Sequence, residues 1–129
     1  MTWTPEELAQ IETADELEIA VARADGTLRR WRPIWVVRAG DQVFVRTWYR
    51  RDTGWFGQVL DSRRARVRVP GVEADVSVED VGEAMRAHVD AAYRTKYGRY
   101  GGSVDQMVSD AAAATTLRLT SLRETPTDG

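Results

Sequence analysis

Residues 32–49 read RPIWVVRAGDQVFVRTWY, and the alternation in this stretch decides the fold. An apolar run from Arg29 to Arg38, a Gly40-Asp41 turn and a second run from Val43 to Tyr49 make the pattern of a β-hairpin. One face carries Trp31, Pro33, Trp35, Val37, Phe44, Arg46 and Trp48; the other carries Ile34, Val36, Val43, Val45 and Thr47. The aliphatic face reads as the inside of a barrel or sheet, and the aromatic and arginine face as its outside. Large rings and guanidinium groups on an outer face must meet a helix, a second subunit or a flat ligand.

Upstream, Thr4-Pro5-Glu6-Glu7 is a capping box with proline at the first helical position, and Leu8 and Ile11 give the helix an apolar edge. Residues 16–22 alternate, with Leu17, Ile19 and Val21 on one face, before an Asp25-Gly26 turn. Keeping the faces consistent across that turn predicts Ile19 opposite Trp31 and Glu18 opposite Arg32.

Downstream, Asp52 or Thr53 is expected to cap a short helix through Trp55, Phe56, Val59 and Leu60. Arg64–Val69 and Val72–Val78 form a hairpin across Pro70-Gly71, with Arg68 facing Glu73 and Arg66 facing Asp75. Those balanced charges mark a solvated face. A helical part is expected from Ser77 or Asp80, with Met85, Val89, Ala92 and Tyr93 as its stripe and Gly98 at its end. Ser103-Val104-Asp105-Gln106 reads as a second capping box, and residues 116–122 alternate as a last strand that closes the sheet. The expected fold class is α+β and mostly β: a small antiparallel barrel with a short inserted helix and two C-terminal helices. Residues 1–123 form one domain, and residues 124–129 read as a disordered tail.

Composition narrows the function. A chain of 129 residues is one domain, and its net charge of −2 supplies no field for nucleic acid or an anionic membrane. No apolar run approaches the ~18 residues of a membrane span, and the acidic MTWTPEEL start lacks a signal-peptide core. The expected compartment is the cytoplasm. With no cysteine and one histidine, no transition-metal site is expected. Nucleophile-elbow, Walker and Rossmann motifs are absent. Basic charge is almost all arginine, Lys96 being the only lysine.

The segment PIWVVRAGDQVFVRTWYRRDTGWFGQVLDSRRARVRVPG, residues 33–71, is similar to the split-barrel flavin-binding proteins of the pyridoxamine-phosphate-oxidase-like and deazaflavin-dependent reductase groups. The stretch YRTKYGRYGGSVDQMVSDAAAATTLRL, residues 93–119, resembles the DUF2255 family of bacterial proteins. The resemblance implies an antiparallel split β-barrel with a cofactor, FMN or a deazaflavin, lying outside the barrel across a dimer interface. It implies phosphate contacts from Arg46 and Thr47 at the strand end and from Arg50 and Arg51 in the loop after it. Bidentate guanidinium groups and hydroxyls suit a phosphate. Trp48 and Trp55 could stack on the ring.

The chain departs from that pattern by having no lysine after this strand and Trp48 where an asparagine is usual. A flavin- or deazaflavin-binding oxidoreductase acting on a small organic molecule therefore stands beside a cofactor-free small-molecule-binding barrel or non-redox biosynthetic enzyme. Trp31 and Trp35 are candidates for substrate contact or for packing. Tyr93 and Tyr97 belong to a basic aromatic segment that either covers the hairpin face as a lid or packs. Arg46, Arg50 and Arg51 have surface ion pairing as their alternative role. His88 is the candidate acid or base, its alternative being a packed structural histidine.

The aromatic face predicts a homodimer built on Trp31, Trp35, Phe44 and Trp48. Light scattering at micromolar concentration should return twice the monomer mass, and Trp35→Glu should halve it. A wild-type monomer would remove the prediction.

Overall fold

The computed structural model describes residues 3–47 and 54–122. The expected helix cap at Asp52 or Thr53 and the C-terminal tail from residue 124 lie outside the described residues. The first helix, α1 (Pro5–Thr13), starts as its sequence dictates: Glu7 N donates to Thr4 Oγ1 at 3.1 Å and Thr4 N donates to Glu7 Oε1 at 2.9 Å. Leu8 and Ile11 are buried by it. Just ahead of it, buried Trp3 donates its indole N–H to the Leu119 carbonyl at 3.0 Å.

The chain continues through β1 (Leu17–Val21), β2 (Arg32–Ile34), β3 (Val37–Ala39), β4 (Gln42–Val45), α2 (Gly54–Ser62), β5 (Arg64–Val69) and β6 (Val72–Asp80). It then forms α3 (Arg86–Tyr97), a 3₁₀ turn at Gly98–Tyr100, α4 (Gly102–Met107), α5 (Asp110–Ala113) and β7 (Leu117–Ser121). The strands pair antiparallel in one sheet of order β2-β1-β5-β6-β7-β4-β3. The last strand closes the sheet as expected, by sitting between β6 and β4.

The two outer members of that order, β2 and β3, are consecutive in sequence. The expected single strand Arg29–Arg38 is therefore two strands broken at Trp35 and Val36. One half pairs with β1 and the other with β4. The curled sheet joins its own edges through two residues of backbone.

The two predicted faces hold at their centres, Trp48 lying outside the described residues. The aliphatic face, including Val36, Val43 and Val45, lies in the inner core with Leu17, Ile19, Val67 and Leu117. The aromatic face forms a second core outside the sheet, where Val37 and Phe44 pack with Val89, Tyr93, Tyr97, Val104 and Met107. Phe44 is fully buried beneath the chain's own helices, so at that position no second subunit is needed to cover it.

Four local expectations are corrected. Next to the turn, Ala22 bridges Leu28, but further along Ile19 pairs with Arg32 and Glu18 with Pro33, not with Trp31 and Arg32. Between these pairs the first strand advances three residues and the second four, which is a bulge. The bulge takes Trp31 out of the ladder, and the Arg68 guanidinium lies 3.9 Å over its ring. Secondly, Arg66 and Arg68 do sit opposite Asp75 and Glu73. The ion pairs, however, are Arg66 with both acids at 2.9 and 2.6 Å and Arg68 with Glu18 at 2.8 Å. Thirdly, the helical part starts later than expected, because β6 runs on to Asp80 by pairing with β7. Fourthly, α4 is preceded by Gly101 at φ +54° and carries no side-chain cap, so Ser103 caps nothing. Ser109 instead accepts from Ala112 N ahead of α5.

The break at Trp35 and Val36 is held by the end of α3. The Tyr97 hydroxyl accepts from Val36 N at 3.2 Å and lies 2.7 Å from the Asp15 carbonyl, to which it donates. Lys96 Nζ donates to the carbonyls of Val36 at 2.8 Å and Ile11 at 3.0 Å. The Trp35 ring stacks flat on Tyr97, centroids 4.0 Å apart and 1° from parallel. Tyr97→Phe should lower unfolding free energy by about 1–3 kcal/mol, because it leaves a buried Val36 N–H without its acceptor. Urea unfolding monitored by circular dichroism checks this; a change under about 0.5 kcal/mol would show that the hydroxyl does not hold the break.

Candidate functional site

The same break forms one wall of a cavity of about 350 Å³. Pro33, Ile34 and Trp35 arrive from β2 and the residue after it, Arg46 and Thr47 from the end of β4, and Trp55 from the start of α2. Ser103 and Met107 of α4 and exposed Glu16 complete it. Trp35, Arg46, Thr47 and Trp55, all singled out by the sequence, thus share one cavity.

Arg46 sits here because alternation at the end of β4 points it to the outer face, under the helices. It is buried, at 1% exposure. Its Nη1 donates to Asp90 Oδ1 at 2.6 Å and to the Met107 carbonyl at 2.9 Å, and its Nε to Thr116 Oγ1 at 2.8 Å. Its guanidinium carbon lies 5.4 Å from the Tyr93 ring centroid. Its Nη2 has no hydrogen-bond partner. Asp90 is shared with Arg86, at 3.2 Å. The arginine's charge is thus balanced from inside the protein, and its Nη2 is buried without a hydrogen-bond partner. Thr47 is anchored by its backbone: its N–H donates to Thr115 Oγ1 at 3.0 Å and its carbonyl accepts from the same hydroxyl at 2.8 Å.

The remaining candidates fall in different places. Trp48, Arg50 and Arg51 lie outside the described residues. Trp31 packs against Arg68, and the described lining of the cavity does not include it. Tyr93 is wholly buried, and its hydroxyl lies against the Arg46 backbone without completing a hydrogen bond. Burial pushes that hydroxyl far above the usual tyrosine range, against the opposing pull of the Arg46 charge. Tyr97 is also buried and pushed up to about 12 by burial, and its hydroxyl is engaged at the break. Both tyrosines pack in the outer core and do not form an exposed lid. Tyr100 alone of the segment is an exposed ring, tilted over Trp35 at 5.4 Å. His88 is exposed on α3 and is not in the lining of this cavity, which removes the alternative of a packed structural histidine.

Asp90, Thr116 and Met107 hold the central arginine, yet nothing in sequence selects them. An acid on a helix and a threonine before a strand carry no mark of the partner that tertiary structure gives them. The described residues contain no group of three or more potential metal ligands close together. No helix among them is long and apolar enough to cross a membrane.

Comparison with known proteins places the chain by family and fold. The profile of DUF2255, described as "Uncharacterized protein conserved in bacteria", matches residues 7–119. A search of curated proteins gives no match. Among solved structures, the heme storage protein HutZ of Vibrio cholerae superposes with a TM-score of 0.65 at 12% identity, covering 96% of this chain and 93% of its own. A FAD-binding protein of Mesorhizobium loti gives 0.58 at 15% identity, with 97% and 93% covered. An F420 reductase gives 0.53 at 17% identity, with 88% and 89% covered. At these identities the likeness is one of fold.

The internal balance of Arg46 sets a test. Arg46→Ala leaves Asp90 with one arginine fewer and opens a cavity in the outer core, so it should cost about 3–5 kcal/mol of stability. Arg66→Ala, on the solvated hairpin, should cost under about 1 kcal/mol. Parallel urea titrations decide it: near-equal losses would show that Arg46 is not a buried structural charge.

Proposed function

The chain belongs to the DUF2255 family and has the split-barrel fold, and from that premise we propose a flavin- or deazaflavin-binding, oxidoreductase-like protein acting on a small organic molecule. The carrying observation is the seam cavity, lined by Trp35 and Trp55 and backed by buried Arg46. In this reading the cavity takes the ring system, with Trp55 packing on it. When bound, the cofactor would supply hydride transfer; the chain supplies orientation and exclusion of water. The half-buried apolar wall of Ile34, Trp35 and Trp55 serves that exclusion.

The residues fit the ring end better than the phosphate end. Arg46, carried over as a phosphate ligand, already has its charge balanced by Asp90. The phosphate would then fall to Arg50 and Arg51. This same balance favours the second reading, a cofactor-free barrel holding a small uncharged molecule against Trp35 and Trp55. The homodimer belongs to the first reading. Trp31, Trp35 and Tyr100 remain partly or well exposed on the outer surface for a second copy to cover.

Titration of the folded protein with FMN, FAD and a deazaflavin, read by tryptophan quenching and calorimetry, tests the proposal. At least one should bind saturably, and Trp55→Ala should weaken it by about 1 kcal/mol, roughly fivefold in Kd. No binding by any of the three selects the cofactor-free reading. Unchanged binding in Trp55→Ala moves the site elsewhere.

A further inference from the structure

A second concavity lies on the far side of α3, bounded by the β3–β4 hairpin and the end of α1. It is a groove of about 750 Å³, with Lys96 in its lining. Small residues make the room: Ala87, Ala91 and Ala92 on α3, and Ala39 and Gly40 on the hairpin. Val37 and Met85 add apolar wall.

Lys96 is an unusual cation for this chain. It is the only lysine, in a sequence whose other basic residues are arginines apart from one histidine. It is half-buried, and its bonds run to two backbone carbonyls, Val36 and Ile11. The acids near it have other partners: Glu12 pairs with Arg38 at 3.2 Å and Asp15 with Arg99 at 3.1 Å. Two carbonyls match the two N–H bonds of a neutral amine. An ammonium would carry a third proton, for which no described residue provides an acceptor.

We propose that Lys96 is a carbonyl-reactive amine, and that the groove between α3 and the β3–β4 hairpin admits small uncharged aldehydes or ketones that condense with it to an imine. The lone pair that the two carbonyls leave free forms the new C–N bond. The carbonyl π pair moves to oxygen; both amine protons pass to that oxygen through water, and it departs as water, leaving C=N and releasing the Val36 and Ile11 carbonyls to solvent. No oxidant or reductant is consumed.

Burial supports the step by lowering Lys96 to about 8, against the raising pull of Asp15 and Glu12. The other charged and titratable groups around the amine are Arg38 and Asp41 from the hairpin side, His88 on α3, and Tyr97, whose ring centroid is 5.2 Å from Nζ. This site is separate from the seam cavity and does not rest on cofactor binding.

The test uses the wild-type protein with benzaldehyde and cyanoborohydride at pH 8, followed by peptide mapping that separates Lys96 from the α-amino group. Lys96 should be benzylated saturably and at least about tenfold faster than Nα-acetyl-lysine, reflecting its larger neutral fraction. Equal or slower labelling overturns the proposal, since it is what a purely structural lysine gives. Ala91→Trp, on an exposed position of α3, should fill the groove. With the fold intact by circular dichroism, it should slow Lys96 labelling at least fivefold. Unchanged labelling there would overturn the groove as the route.

Discussion

The fold depends on how the two edges of its sheet are held together at Trp35 and Val36. An extended chain that leaves one strand partner and joins another must pass through residues whose backbone groups have no ladder. Those groups are expensive to bury unpaired. Here the last turn of α3 supplies what the ladder does not. Tyr97 serves Val36 N–H and the Asp15 carbonyl, Lys96 serves the Val36 carbonyl, and Trp35 lies flat on the tyrosine ring. The helix therefore has two roles. Its apolar stripe makes the outer core, and its C-terminal turn closes the barrel. Both cavities described above lie against that closure: Trp35 lines one, and Val37 and Lys96 line the other.

Much of the framework was legible in the sequence, and the reasons are local. The capping box of α1, the register of the Pro70-Gly71 hairpin, the two faces of the β3–β4 region and the closing strand all follow from periodicity and turn chemistry. The break at Trp35 was not legible. RPIWVVRA alternates as well as any continuous strand, and its division is decided by β1 and β4, which lie far apart in the sheet order. The bulge before Arg32 was hidden for a related reason. The register inferred from the turn holds at Ala22 and fails three residues later, where packing of Trp31 on Arg68 decides instead.

The candidate site was legible in its residues more than in their roles. Strand-end alternation brought Trp35, Arg46, Thr47 and Trp55 together as a group. It could not tell that Arg46 would be folded into the core with Asp90, nor that Tyr93 and Tyr97 would face inward. An arginine at a strand end reads the same whether it waits for an anion or already has one. Only the position of a helix some forty residues later distinguishes the two. At the strand end where the resemblance implies a gripping charge, this chain has a buried arginine already balanced by Asp90.

The bulged, divided strand has a consequence for behaviour in a crowded solution. Open sheets aggregate by adding foreign strands to exposed rows of N–H and C=O groups. In this sheet each terminal member, β2 and β3, is three residues long. One of them has Pro33 at its centre, with no N–H to offer. The backbone that links them turns directly from one partner to the other, so neither edge extends far enough to template a neighbour. Connectivity itself thus keeps the open edges of the described sheet short, and loosening of the Tyr97 clasp would lengthen them.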